Sequence, residues 1–135
     1  MALRTAADLT AKDCGFLLVD NSVYPDDENV QYVYIMEIDR VPQDLTEEKI
    51  YESLEKHLAE VNPSYGNKVK NGLIQPVKIL FSQPETYVLY KEMMLRMGNS
   101  IAQLKPVTVI GNEQQKNFFF TLVDDFEEIK ALCAR

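Results

Sequence analysis

Val30-Gln31-Tyr32-Val33-Tyr34-Ile35-Met36-Glu37-Ile38 is the stretch that decides how this chain folds. At the two-residue repeat of a β-strand, Tyr32, Tyr34, Met36 and Ile38 share one face, and Val33, Ile35 and Glu37 share the other. Apolar residues on both faces predict a central strand. Just upstream, the short apolar run Gly15-Phe16-Leu17-Leu18-Val19-Asp20 reads as a second strand, bounded by glycine and by Asp20-Asn21-Ser22. The acidic loop Tyr24-Pro25-Asp26-Asp27-Glu28-Asn29 turns the chain between the two.

Downstream, Asp44-Leu45-Thr46-Glu47 has the spacing of a capping box. Ile50, Leu54, Leu58 and Val61 follow at helical intervals until Asn62-Pro63 stops the run. A polar stretch from Ser64 to Gly72 leads to a third strand, Val77-Lys78-Ile79-Leu80-Phe81, whose start Pro76 marks. Ser82-Gln83-Pro84-Glu85 repeats the capping pattern and opens a helix ending at Gly98, with Tyr87, Val88, Tyr90, Met94, Leu95 and Met97 expected to be largely buried. Val107-Thr108-Val109-Ile110 reads as a fourth strand, Phe118-Phe119-Phe120-Thr121-Leu122-Val123 as a fifth, and Asp124-Asp125-Phe126-Glu127 as the opening of a short terminal helix. The β-α-β-α-β middle predicts an α+β fold, an α/β two-layer arrangement in which helices pack on a small mixed sheet of four to five strands.

The chain has 135 residues, a length that matches one domain spanning 1–135. With 46% apolar and 26% charged residues it lies far from the composition of a disordered chain. Its 21 acidic and 14 basic residues give a net charge of -7, which repels a phosphate backbone and gains nothing from anionic lipid, so nucleic-acid and membrane roles are disfavoured. The start Met1-Ala2-Leu3-Arg4-Thr5-Ala6-Ala7-Asp8 has no apolar core of signal-peptide length, and no stretch approaches the roughly 20 apolar residues of a membrane span. The expected compartment is the cytoplasm. Cys14 and Cys133 stand far apart outside any paired-cysteine motif and read as two buried thiols.

Little in the sequence spells out chemistry. The single histidine, His57, sits in mid-helix with no glycine-framed serine to activate, so it reads as a structural residue rather than a base. Asp26-Asp27-Glu28 lacks the alternating oxygen ligands and glycine of a calcium loop and reads as a solvated turn. No metal site is expected. No Gly/Ser/Thr-rich loop is present to wrap phosphates with backbone amides. Lys105, beside Ser100 and Gln103 and held by Pro106, lies between a helix and a strand, a position that presents a side chain outward on a rigid base.

From Phe16 to Ile110, the ordered series Leu18-Val19-Asp20-Asn21-Ser22-Val23-Tyr24, Gln31 to Glu37, the helix from Glu47 to Val61, Asn62-Pro63-Ser64-Tyr65, Gln75-Pro76-Val77-Lys78-Ile79 and Gly98-Asn99-Ser100-Ile101-Ala102-Gln103-Leu104-Lys105-Pro106 resembles the C-terminal domain of the GH-three family. That family comprises the auxin-responsive acyl acid amido synthetases, which are similar to other adenylate-forming enzymes. The last segment carries most of the resemblance. Two features depart from the family pattern: Pro106 follows Lys105 directly, and Val107 and Thr108 stand where the family has an arginine.

The resemblance implies a mobile lid that closes over a larger ATP-binding body while a carboxylic acid is adenylated and conjugated to an amino acid. It implies Lys105 as the charge-compensating residue, Gln103 and Lys105 as the contacts to the nucleotide, and ATP with magnesium as cofactors of the complete enzyme, none of them held by this chain alone. The partner would be an N-terminal body supplied in cis or in trans. A second reading is a stand-alone, non-catalytic binding or assembly module that kept the lid fold and pairs its exposed lid face in a homodimer. A third is a small-molecule-binding domain with an enclosed pocket lined by tyrosines and phenylalanines.

Overall fold

The computed structural model describes residues 2–98 and 107–134. Along the chain run α1 (Ala2–Cys14), β1 (Leu17–Asp26), β2 (Gln31–Asp39), α2 (Glu47–Val61), α3 (Pro63–Lys70), β3 (Gln75–Ser82), α4 (Thr86–Arg96), α5 (Glu113–Thr121), β4 (Val123–Asp124) and α6 (Phe126–Leu132). The strands form one sheet in the order β1-β2-β3-β4; β2 pairs antiparallel with β1 and parallel with β3, and β4 is antiparallel to β3. This is the α+β fold with a mixed sheet that the β-α-β-α-β pattern predicts.

β2 is an inner strand, flanked by β1 and β3, and its two faces feed two separate cores. Tyr34, Met36 and Ile38 pack with Ala6 and Ala7 of α1, Ile50, Leu54 and Leu58 of α2, and Phe126 and Ile129 of α6. Ile35, pointing the other way, packs with Tyr87 and Tyr90 of α4, Val107, Ile110, and Phe119 of α5. The alternation read from Tyr32 to Ile38 thus sorts helices onto both faces of the sheet. α1, which no motif marked, ends on Gly15, whose φ of 78° suits the left-handed turn after a helix; the N–H groups of Gly15 and Phe16 both return to the Ala11 carbonyl.

Each remaining difference from the sequence reading has a local cause. α2 is capped by Thr46, whose hydroxyl accepts the Lys49 N–H at 3.2 Å, not by Asp44. The polar stretch from Ser64 to Gly72 is mostly helical, because Asn62 caps Tyr65 and Pro63 occupies the first turn: one proline both stops α2 and starts α3. Phe118-Phe119-Phe120 is helical, not a strand. Asn112 caps α5 at the Gln115 N–H, and helical spacing turns the three rings toward different partners: Tyr90 for Phe118, Tyr87 and Tyr90 for Phe119, Tyr24 for Phe120. Val107–Ile110 touches the sheet at a single bridge, Val23 to Val109; the fourth strand is Val123–Asp124.

Both sheet edges are blunted. Beyond its short pairing with β4, β3 is met by side chains of α2: Glu55 accepts the Val77 N–H at 2.9 Å, while Tyr51 accepts the Ile79 N–H at 2.9 Å and donates to the Ile79 carbonyl. On β1 the register slips between Leu18 and Asp20, and Asp20 accepts the Asn21 N–H and an Arg4 guanidinium N–H. A slipped, charged edge discourages pairing with another chain.

Candidate functional site

The residues that the resemblance nominates, Gln103 and Lys105, lie outside the described residues. The chain re-enters the described region at Val107, and there it is fastened to β1. Val23 donates its N–H to the Thr108 carbonyl and accepts the Ile110 N–H, both at 2.9 Å. Ser22 lies wholly within the protein and donates its hydroxyl to the Val107 carbonyl. Ser22 also accepts the Tyr87 phenol at 2.8 Å, so one hydroxyl on β1 holds both α4 and the returning segment. Burial pushes the Tyr87 phenol well above the ordinary tyrosine range, which keeps its proton available for that bond.

α4 is held at its start by Glu37, a carboxylate only 5% exposed. Oε1 accepts the Tyr87 N–H at 3.0 Å and Oε2 accepts the Glu85 N–H at 3.1 Å. A carboxylate here satisfies two helix donors and meets the positive end of the helix dipole. The expected capping box from Ser82 is not formed: Ser82 belongs to β3, its hydroxyl has no partner among the described residues, and the cap position falls to Glu85 in the left-handed region at φ 68°. Sequence reading missed Glu37 as a cap because the helix it serves begins far along the chain. The signal was there: Glu37 is a carboxylate set between the apolar Met36 and Ile38 of β2.

The other face of α4 carries exposed residues. Tyr87 and Tyr90 are buried as expected, but Val88, Leu95 and Met97 are exposed, along with Leu89, contrary to the expected burial of most of this helix. Val88 is 54% exposed and Met97 57%. Gln83, Pro84, Val88, Leu89 and Leu122 line an open groove at the start of that face.

His57 is mostly enclosed between α2 and α1. Its Nε2 lies 3.9 Å from Asp13 and its Nδ1 3.8 Å from Glu60, beyond hydrogen-bond reach, and neither nitrogen has a hydrogen-bond partner among the described residues. The nearby Ser53 hydroxyl donates to Asp13 at 2.8 Å rather than to the imidazole, so no nucleophile and base are paired there. Asp26 closes its turn by accepting the Asn29 backbone and side-chain N–H groups. The tyrosines and phenylalanines contact one another, as Tyr87, Tyr90, Phe118 and Phe119 do, and fill a core instead of lining an enclosed pocket.

No group of three His, Cys, Asp or Glu among the described residues could hold a metal ion. Among the described residues, no helix is long and apolar enough to cross a membrane.

The family model described as the GH3 family C-terminal domain matches residues 1–114. No curated protein matches the chain by sequence. Among solved structures, the chain is similar to a GH3.15 acyl acid amido synthetase, at 20% identity and a TM-score of 0.73 over 92% of this chain. It is likewise similar to AtGH3.15 acyl acid amido synthetase in complex with 2,4-DB, at 19% identity and a TM-score of 0.75. In both cases the chain spans 24% of the length of the solved protein. At these identities the likeness is one of fold.

Proposed function

Because the chain belongs to the GH3 family, as its C-terminal domain, we propose that it is the lid of an acyl acid amido synthetase, which joins a carboxylic acid to an amino acid at the expense of ATP. The observation that carries this reading is the family match over residues 1–114. The exposed apolar residues Val88, Leu89 and Leu95 of α4 support it, since a domain that closes on another presents apolar side chains to it. In this reading residues 1–135 act as one domain, an N-terminal body in cis or in trans holds ATP, magnesium and both substrates, and the complex works in the cytoplasm.

Lys105, with Gln103 beside it, is the lid's contribution to the closed site. A lysine brought to a dry, anionic centre stabilises charge that develops on carboxylate and phosphate oxygens.

The test mixes the chain with a candidate body and follows ATP-pyrophosphate exchange over a panel of carboxylic acids, wild type against Lys105→Ala. A loss of about 100-fold in the variant is expected from removing one such charge. Exchange that is absent with every acid, or untouched by the substitution, overturns the lysine's role. A chain that instead forms a homodimer through the α4 face, and neither binds nor activates a body, is the non-catalytic module of the second reading.

A further inference from the structure

We infer that His57 is a proton-operated latch between α1 and α2: protonated, it bridges Asp13 at the end of α1 to Glu60 at the end of α2, and neutral, it releases them. The inference goes beyond the lid reading and does not depend on it. Both ring nitrogens are buried, and neither has a hydrogen-bond partner among the described residues. Native proteins rarely leave buried polar atoms in that state. Nε2 lies 3.9 Å from Asp13 and Nδ1 3.8 Å from Glu60, so a carboxylate stands at each nitrogen.

Chemistry separates the two forms of the ring. A carboxylate only accepts, and a neutral imidazole has one donor, so one nitrogen must turn its lone pair toward a negative charge; the imidazolium gives a donor to each side. Closing either gap to hydrogen-bond distance takes about 1 Å. The carboxylates, 51% and 57% exposed, have room for that shift around a ring only 14% exposed. Asp13 lies in the last turn of α1 and Glu60 in the last turn of α2, which has no basic residue there. Negative charge at these helix ends opposes the helix dipoles, and a cation between the two offsets both. Lys56, next to His57 on α2, and Lys49 on the same helix also act on Asp13, but lysines keep their charge below about pH 8 and so cannot switch the contact. His57 is the chain's single histidine, and burial pushes both cysteine thiols upward, away from neutral pH.

The test follows urea unfolding of the full chain at pH 8 and pH 5.5, wild type against His57→Gln, Asp13→Asn, Glu60→Gln and the two carboxylate changes together. With the latch, the folded chain binds one proton more tightly than the unfolded chain, so stability rises as the pH falls across this range. The wild-type unfolding constant is expected to drop about tenfold from pH 8 to pH 5.5, that of His57→Gln by less than about twofold, and those of the single carboxylate variants by intermediate factors. The double carboxylate variant should match His57→Gln. Protection of the α1 amides at Asp13 and Cys14 should rise with the wild-type stability and stay level in His57→Gln. A wild-type constant that does not change with pH, or a change that His57→Gln or the double carboxylate variant retains, overturns the inference. Should His57→Gln fail to fold, the carboxylate variants decide it, because both positions are half-exposed and their amides keep the side-chain shape.

Discussion

Glu37 Oε1 accepts the backbone N–H of Tyr87 at 3.0 Å, joining the end of β2 to the first turn of α4 across 50 residues of sequence. With Glu85 on the second oxygen, the pair replaces a local cap by a tertiary one. Glu37→Ala leaves two donors without a partner in a buried place, and the expected loss is about 2–4 kcal/mol. Glu37→Gln keeps one acceptor and turns an amide N–H toward the other donor, for a loss of about 1–2 kcal/mol. Urea unfolding of the three proteins checks the order; equal stability of all three shows that α4 does not depend on this carboxylate.

Tyr51 fills the gap in the edge of β3 from α2, accepting from and donating to the same residue, Ile79. Tyr51→Phe keeps the ring but strips both bonds, and is expected to destabilise by about 1–3 kcal/mol. A second readout is association. An unmasked strand edge invites pairing between chains, so light scattering should report aggregation in the variant at concentrations where the native chain stays dispersed.

Asp13 sits below its ordinary aspartate value chiefly because it accepts the Ser53 hydroxyl, which outweighs the opposing effect of desolvation, with His57, Lys56 and Lys49 adding favourable charge. A carboxylate whose folded pKa is depressed stabilises the fold above its unfolded pKa, near pH 4, and that stability disappears as the pH falls through the lowered folded value. Ser53→Ala removes the leading cause. Its stability curve should therefore run closer to flat than that of the native chain between about pH 4.5 and pH 2.5. Parallel curves in that window would show that the Ser53 bond does not govern Asp13.

The apolar face of α4 should be dispensable to the chain by itself. Val88→Lys and Met97→Lys, at positions 54% and 57% exposed, are expected to change unfolding free energy by no more than about 0.5 kcal/mol. The same substitutions should weaken association with a body at least tenfold in a binding titration. A strong loss of stability in the isolated chain would mean that this face has a partner within it.

Much of the fold was legible from Val30 to Ile38. Side chains alternate strictly along a strand, so that stretch alone placed β2 between neighbours and promised packing on both faces. Helices with a full amphipathic repeat, such as α2, were equally plain. Errors came where one local pattern has two solutions: three consecutive phenylalanines suit a strand or a helix, and Asn112 at the cap decided it. Ser82 and Glu85 have the spacing of a cap, yet Ser82 is held in β3 and a distant carboxylate takes its place.

The sequence by itself determined the family and the chemistry that is missing: no triad, no metal loop, no phosphate loop, and a lysine in an ordered run of family-like motifs. Residue type and spacing suffice for those, because they are properties of the chain read in one dimension. Only the tertiary structure decided that Glu37 caps α4, that Ser22 joins Tyr87 to Val107, and that Val88, Leu89 and Leu95 of α4 are exposed. Each depends on two or three surfaces meeting, and a buried polar group finds its partner by proximity in space, wherever along the chain that partner was made.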